Sequence, residues 1–167
     1  MLNMKYLIPI LLFLCSAASA QESKQFVIDG AIKKTRTVNM ENLLQYKTVN
    51  IDSLVIYNHL MQKRSSLKNI KGVLLKDILA EVEITADHPK LLSEYYLVCT
   101  ASDDYKVVLS WNEVFNSKNE GILILSSFDT SSTKKEKGNI AMIVTTDQAT
   151  GRRFVKGLSK ISILKVN

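Results

Sequence analysis

Short apolar runs separated by polar punctuation dominate this chain. Phe26-Val27-Ile28, closed by Gly30, predicts a strand, and Asn39 is placed to cap a short helix through Met40-Glu41-Asn42-Leu43-Leu44. Val49 to Tyr57 alternates apolar and polar positions before turning fully apolar, the pattern of a strand entering a core. Gln62 to Asn69 reads as a polar connection to the clearest helical stripe in the sequence. That stripe follows Gly72, with Leu74, Leu75, Ile78, Leu79 and Val82 on one face.

After a loop holding Asp87-His88-Pro89, Tyr95–Ala101 predicts a buried strand, Ser102-Asp103-Asp104 a turn, and Tyr105–Leu109 the returning strand of a hairpin. Ser110-Trp111-Asn112-Glu113 has the form of a capping box and predicts a short helix carrying Trp111, Val114 and Phe115. Ile122–Leu125, Ile140–Thr145 and Ile161–Val166 predict further strands. The Ser-, Thr- and Lys-rich stretch Ser126–Gly138 predicts a mobile surface loop. Strands mixed with a few short helices, without an internal repeat, define a single compact α+β domain.

The first residues stand apart from this pattern. Lys5 precedes an apolar run from Tyr6 to Cys15, and Ser16-Ala17-Ala18-Ser19-Ala20 supplies an Ala-x-Ala cleavage site. Residues 1–20 therefore read as a cleaved signal peptide and residues 21–167 as the mature domain, with a periplasmic or secreted location. No membrane span is expected once the signal is removed. Cys15 leaves with it, so Cys99 is the single mature cysteine and no internal disulfide can form.

Composition narrows the chemistry. The 167 residues are 46% hydrophobic and 23% charged, with a formal net charge of +6, which excludes collagen, coiled coil and intrinsic disorder. There is no Gly-rich phosphate loop, His-Glu-x-x-His, Cys-x-x-Cys or Gly-x-Ser-x-Gly, and two histidines, His59 and His88, are too few for a multi-histidine metal centre. A thiolate such as Cys99 could ligate a soft metal, but Tyr96 to Ala101 brings it no base, and it reads as a small buried hydrophobe. Gly151-Arg152-Arg153-Phe154-Val155-Lys156-Gly157-Leu158 places three cations between two glycines. Such a segment can cradle a phosphate, or it can be a solvated basic loop. Cations without interleaved aromatic residues on a strand face give no case for nucleic acid.

The same segment resembles the Gly-x-Arg-x-Val-Lys-x-Leu motif of the sulfite oxidase family's molybdopterin-binding domain, at Gly151, Arg153, Val155, Lys156 and Leu158. Gly72-Val73-Leu74-Leu75-Lys76-Asp77-Ile78-Leu79 is similar to that family's Gly-Val-x-Leu-x-Asp-Leu-Leu segment. Ala101-Ser102-Asp103-Asp104-Tyr105 is similar to its Ala-x-Asp-Gly-Tyr turn, with Asp104 in place of Gly, and Val27-Ile28-Asp29-Gly30 resembles its first strand. The resemblance spans nearly all of the mature chain and is nearest to small, stand-alone exported members of the superfamily. It implies the mixed sulfite oxidase catalytic-domain fold and molybdopterin, the molybdenum cofactor. Arg153 and Lys156 would hold its phosphate, the chain from Arg152 through Phe154 and Val155 to Lys156 would contact the pterin, and Tyr57 or His59 would lie nearest the metal.

Two departures bear on that implication. The family's molybdenum-ligating cysteine should fall between Tyr57 and Gly72, yet Ile56 to Arg64 contains none, so no protein metal ligand is assigned. Met142 stands where the family usually has arginine. Two readings follow: an oxidoreductase-like cofactor protein with an anionic cofactor and a redox protein partner, or a non-catalytic binding or accessory protein that retains the fold without the cofactor.

Overall fold

The computed structural model describes residues 24–117, 121–132 and 140–166. The signal-peptide expectation lies outside them, as do residues 133–138 of the expected surface loop.

Among the described residues ten strands form two five-stranded sheets. The first sheet runs β2-β1-β10-β5-β6, from β1 (Gln25–Gly30), β2 (Arg36–Asn39), β5 (Tyr95–Ala101), β6 (Lys106–Ser110) and β10 (Leu158–Lys165). Its central strand, β10, is parallel to β1 and antiparallel to β5. The second runs β3-β4-β7-β8-β9, from β3 (Val49–Tyr57), β4 (Lys63–Leu74), β7 (Ile122–Thr130), β8 (Ala141–Val144) and β9 (Val155–Lys156). All its pairings are antiparallel.

Alternation along these strands builds two cores. Phe26, Ile28, Leu97, Cys99, Leu109, Ile161 and Ile163 of the first sheet join Val73, Ile122, Ile124, Met142, Val144 and Val155 of the second in the main cluster. The intervening residues Leu123, Leu125, Ala141 and Ile143 turn to the opposite face, where Ile56, Leu67, Ile70 and Phe154 form a second cluster. β8 and the start of β7 are thus covered on both faces, which is why they read as unbroken apolar runs.

Among the described residues three short α-helices close the ends: α1 (Met40–Leu43), α2 (Leu75–Leu79) and α3 (Trp111–Phe115). The Asn39/Asn42 and Ser110/Glu113 capping boxes satisfy the first N–H groups of α1 and α3. The expected helix after Gly72 is shorter than its stripe. Leu74 still belongs to β4, and the helix stops after Leu79, where Arg36 donates to the Ile78 carbonyl at 3.4 Å and pairs with Glu81 at 2.6 Å. Leu75, Ile78 and Leu79 nonetheless fill the core as that stripe requires.

Two polar stretches are strands rather than connections. Lys63 to Asn69 belongs to β4, paired with β3 through Tyr57↔Lys63 to Ser53↔Lys68, and Ser126 to Thr130 extends β7. Ser126 to Thr130 alternates between solvent and partial burial, and in Lys63 to Asn69 only Leu67 is fully buried, so hydrophobicity gave little sign of either, while the ladder supplied the backbone partners. At the β5–β6 turn, Asp104 adopts φ 65°, a left-handed conformation that Asp accepts more readily than most residues.

Candidate functional site

A half-open cleft of about 680 Å³ lies where the β3–β4 turn meets the segment before β9. Tyr57, Asn58, His59, Lys63, Arg64 and Ser65 come from the β3–β4 hairpin, Gly151, Arg152, Phe154 and Lys156 from the later segment, and Ser131 and Ser132 from the end of β7.

The two principal contributors are fastened by one buried hydroxyl. Thr150 opens the short 3-10 helix Thr150–Arg153; its Oγ1 donates to the Val55 carbonyl at 2.8 Å and accepts the Tyr57 N–H at 3.0 Å. Gly151 then passes so close to β3 that a Cβ there would stand 2.8 Å from the Tyr57 carbonyl oxygen. That approach requires glycine and sets Arg152 beside the end of β3. The Tyr105 hydroxyl donates to the Arg152 carbonyl and anchors this backbone to the β5–β6 hairpin.

Lys63, Arg64, Arg152 and Lys156 bring four cations to the cleft, and no carboxylate lines it among the described residues. No described acidic residue pairs with the side chains of Lys63, Arg64 or Arg152. Lys156 Nζ sits 5.2 Å from the centre of the Phe154 ring, a cation–π geometry that keeps the ammonium at the apolar wall. The serines add hydroxyls able to donate to an anion.

The structure brings together Tyr57, His59, Arg152, Phe154 and Lys156 of the sequence-derived candidates and directs two others elsewhere. Val155 is fully buried in the main core and offers only backbone, which pairs with Met142. Arg153, expected to hold a phosphate, does not line the cleft. Its Nε and Nη2 donate to the two oxygens of Asp147 at 2.8 and 2.6 Å, and Nη1 donates to Glu113 at 2.7 Å. Hydrogen bonding to Asp147, opposed by partial burial, raises the already high pKa of Arg153 and keeps it a permanent cation. Burial of Glu113 works against its ionisation, but the Ser110 N–H and Arg153 outweigh it and hold the carboxyl below the usual range. Consecutive arginines therefore do different things: Arg152 faces the cleft, and Arg153 clasps the loop that presents it.

Lys63, Arg64, Ser131 and Ser132 were not picked out by sequence reasoning. Lys63 and Arg64 are a visible cation pair, but only the pairing of β3 with β4 carries them to the Arg152 segment. Met142, at the family's arginine position, packs in the main core. Cys99 is also buried there, and desolvation pushes its thiol up to about 12. Among the described residues no group of three His, Cys, Asp or Glu side chains is placed to hold a metal, and no helix is long and apolar enough to cross a membrane.

No protein-family model matches the chain, and no curated protein matches it. Among solved structures the chain is similar to the sulfane dehydrogenase SoxCD of Paracoccus pantotrophus, with a TM-score of 0.58 and 14% identity, over 84% of this chain and 38% of that one. The chain thus spans well under half the length of that solved chain. At this identity the likeness is one of fold alone: two sheets and short helices in one compact domain, a fold resembling that of SoxCD.

Proposed function

We propose that this domain binds an organic phosphate in the cleft between the β3–β4 turn and the Arg152–Lys156 segment, and that molybdopterin is its ligand. The observation that carries the reading is the set of four cations around a cleft with no carboxylate among its described lining residues. Guanidinium and ammonium groups make charge-assisted hydrogen bonds to phosphate oxygens, and the fork of an arginine matches two of them at once. Tyr57 offers aromatic surface to a planar ring beside that charge. The pterin itself comes from the sequence resemblance, and the fold shared with SoxCD is compatible with it.

The residues fit the phosphate end of such a cofactor and do not fit molybdenum held by a protein thiolate. The cleft has no cysteine, and Cys99 is sealed in the main core as a thiol. No redox step and no catalytic residue are therefore assigned. The missing thiolate favours a second reading, an exported accessory or binding module in the periplasm or medium that uses the basic cleft for another acidic small molecule.

Both readings are tested on protein purified from the exported fraction of its native host, assayed for released pterin fluorescence and for molybdenum. Near-stoichiometric pterin, lost from the Arg152→Ala/Lys156→Ala variant, is the expected result. Its absence from the wild-type protein would overturn the molybdopterin reading and leave the binding module; recovery of the protein from the cytoplasmic fraction would overturn export.

A further inference from the structure

The turn that forms one side of the cleft has an unusual crest. Leu60 and Met61 stand adjacent at its apex, 63% and 51% exposed, where turns ordinarily carry Gly, Asn or Ser. Met61 sits at φ 58°, a left-handed conformation costly for a side chain of its kind.

This geometry is built rather than slack. Asn58 Oδ1 accepts the N–H groups of Leu60 and Gln62 at 3.0 and 2.9 Å, and Asn58 Nδ2 donates to the Gln62 side chain at 3.0 Å. The Met61 N–H donates to the Asn58 carbonyl at 3.0 Å, and the Asn58 N–H to that of Gln62 at 3.1 Å. Five hydrogen bonds organised by one asparagine hold two large apolar side chains out into water. Other large apolar side chains are exposed as well, among them Leu44, Val108, Leu164 and Val166, but Leu60 and Met61 are the pair adjacent in sequence at a turn. Beside the crest lie His59, Lys63 and Arg64, with no acidic residue from Asn58 to Leu67.

We infer that the β3–β4 turn is a docking tip for the surface of an anionic lipid bilayer, with Leu60 and Met61 entering the acyl boundary and Lys63 and Arg64 facing headgroup phosphates. A convex crest of two side chains is too small to anchor a protein interface, which needs roughly 800 Å² from each partner. It is the right size for shallow interfacial insertion, where a few apolar groups and flanking cations act together and binding is reversible. Charge complementarity selects the lipid: the flanking residues carry one sign. The apolar half of the inference is independent of the cleft, because neither Leu60 nor Met61 lines it; Lys63 and Arg64 stand at the cleft's rim and are shared between the two readings.

The test is co-sedimentation of the purified protein with vesicles rich in phosphatidylglycerol and with vesicles of phosphatidylcholine alone. Binding to the anionic vesicles is expected, weakening by about tenfold or more in the Leu60→Ser/Met61→Ser variant and in ~0.5 M salt, where exposed charges are screened. Because both side chains are exposed, that variant should melt as the wild type does and keep its pterin content. A Leu60→Trp reporter should shift its emission to the blue only with anionic vesicles. Binding to neither vesicle, or equal binding by wild type and the double serine variant, would overturn the inference and leave any role of the crest to a protein partner. Loss of pterin with vesicle binding intact would instead count against the cleft reading alone.

Discussion

The β5–β6 and β3–β4 hairpins end in turns of opposite character. Ser102 at the first donates its N–H to the Gly157 carbonyl, and Tyr105 donates to the Arg152 carbonyl, so that turn is folded down onto the body of the domain. The second stands clear, held by Asn58 alone, and lifts Leu60, Met61 and a pair of cations into solvent. The same contrast runs through the sheets behind them. The first sheet devotes its inward residues to the main core and contributes no side chain to the cleft, whereas the second divides its residues between two cores and carries every hairpin side chain that lines it. Rigidity and access are separated by sheet, and a ligand can be bound without opening the main core.

Substitutions should respect that division. Leu97→Ala, at a fully buried position of β5, should lower unfolding free energy by about 2–5 kcal/mol through lost burial and a cavity, measured by denaturant titration. Arg153→Ala should cost ~2 kcal/mol, because it leaves the mostly buried Asp147 carboxylate without its guanidinium. The adjacent Arg152→Ala should change stability by less than ~0.5 kcal/mol and act on anion binding instead. Equal thermal melts for the two alanine variants would erase the distinction between clasp and cleft.

Gly151→Ala drives a Cβ against the Tyr57 carbonyl and should cost about 1–3 kcal/mol of overpacking, with weakened anion binding because the seam between the two contributors must part. The acid limb of stability should show a smaller effect. Glu113 has a carboxyl pKa lowered in the folded state, so its contribution is complete above the ordinary glutamate value of about 4.3 and is lost as pH falls through the depressed folded value. Glu113→Gln should flatten that acid limb and leave stability nearly independent of this position below it. Least of all should Cys99 report on the surface: iodoacetamide at pH 8 should leave it unmodified in the native protein and alkylate it after denaturation, since burial keeps the thiol protonated.

What the sequence revealed followed the division of labour between side chain and backbone. Tyr95–Ala101, the Ser110/Glu113 capping box and the buried runs of β7 and β8 were readable because core strands and caps write their geometry into residue type. Lys63–Asn69 was not, because a strand with exposed polar side chains is specified by its neighbours' hydrogen bonds. In the site, the run from Gly151 to Lys156 was visible as charge and glycine. Which of Arg152 and Arg153 faced the cleft depended on Asp147 and Glu113, which nothing in the local pattern links to it. Lys63 and Arg64 were hidden for the same reason: they join the site through strand register across the domain.

The middle position of β10 carries a consequence for how the chain comes into being. This strand joins β1 to β5, and Ser162 hydrogen-bonds Asp29 across 133 residues of sequence. β1 must wait, unpaired on that side, for β10 to be made. Contacts so remote in sequence close slowly. The sheet that seals the main core is therefore completed only once β10 has been synthesised, whereas the β3–β4 and β5–β6 hairpins can pair before it.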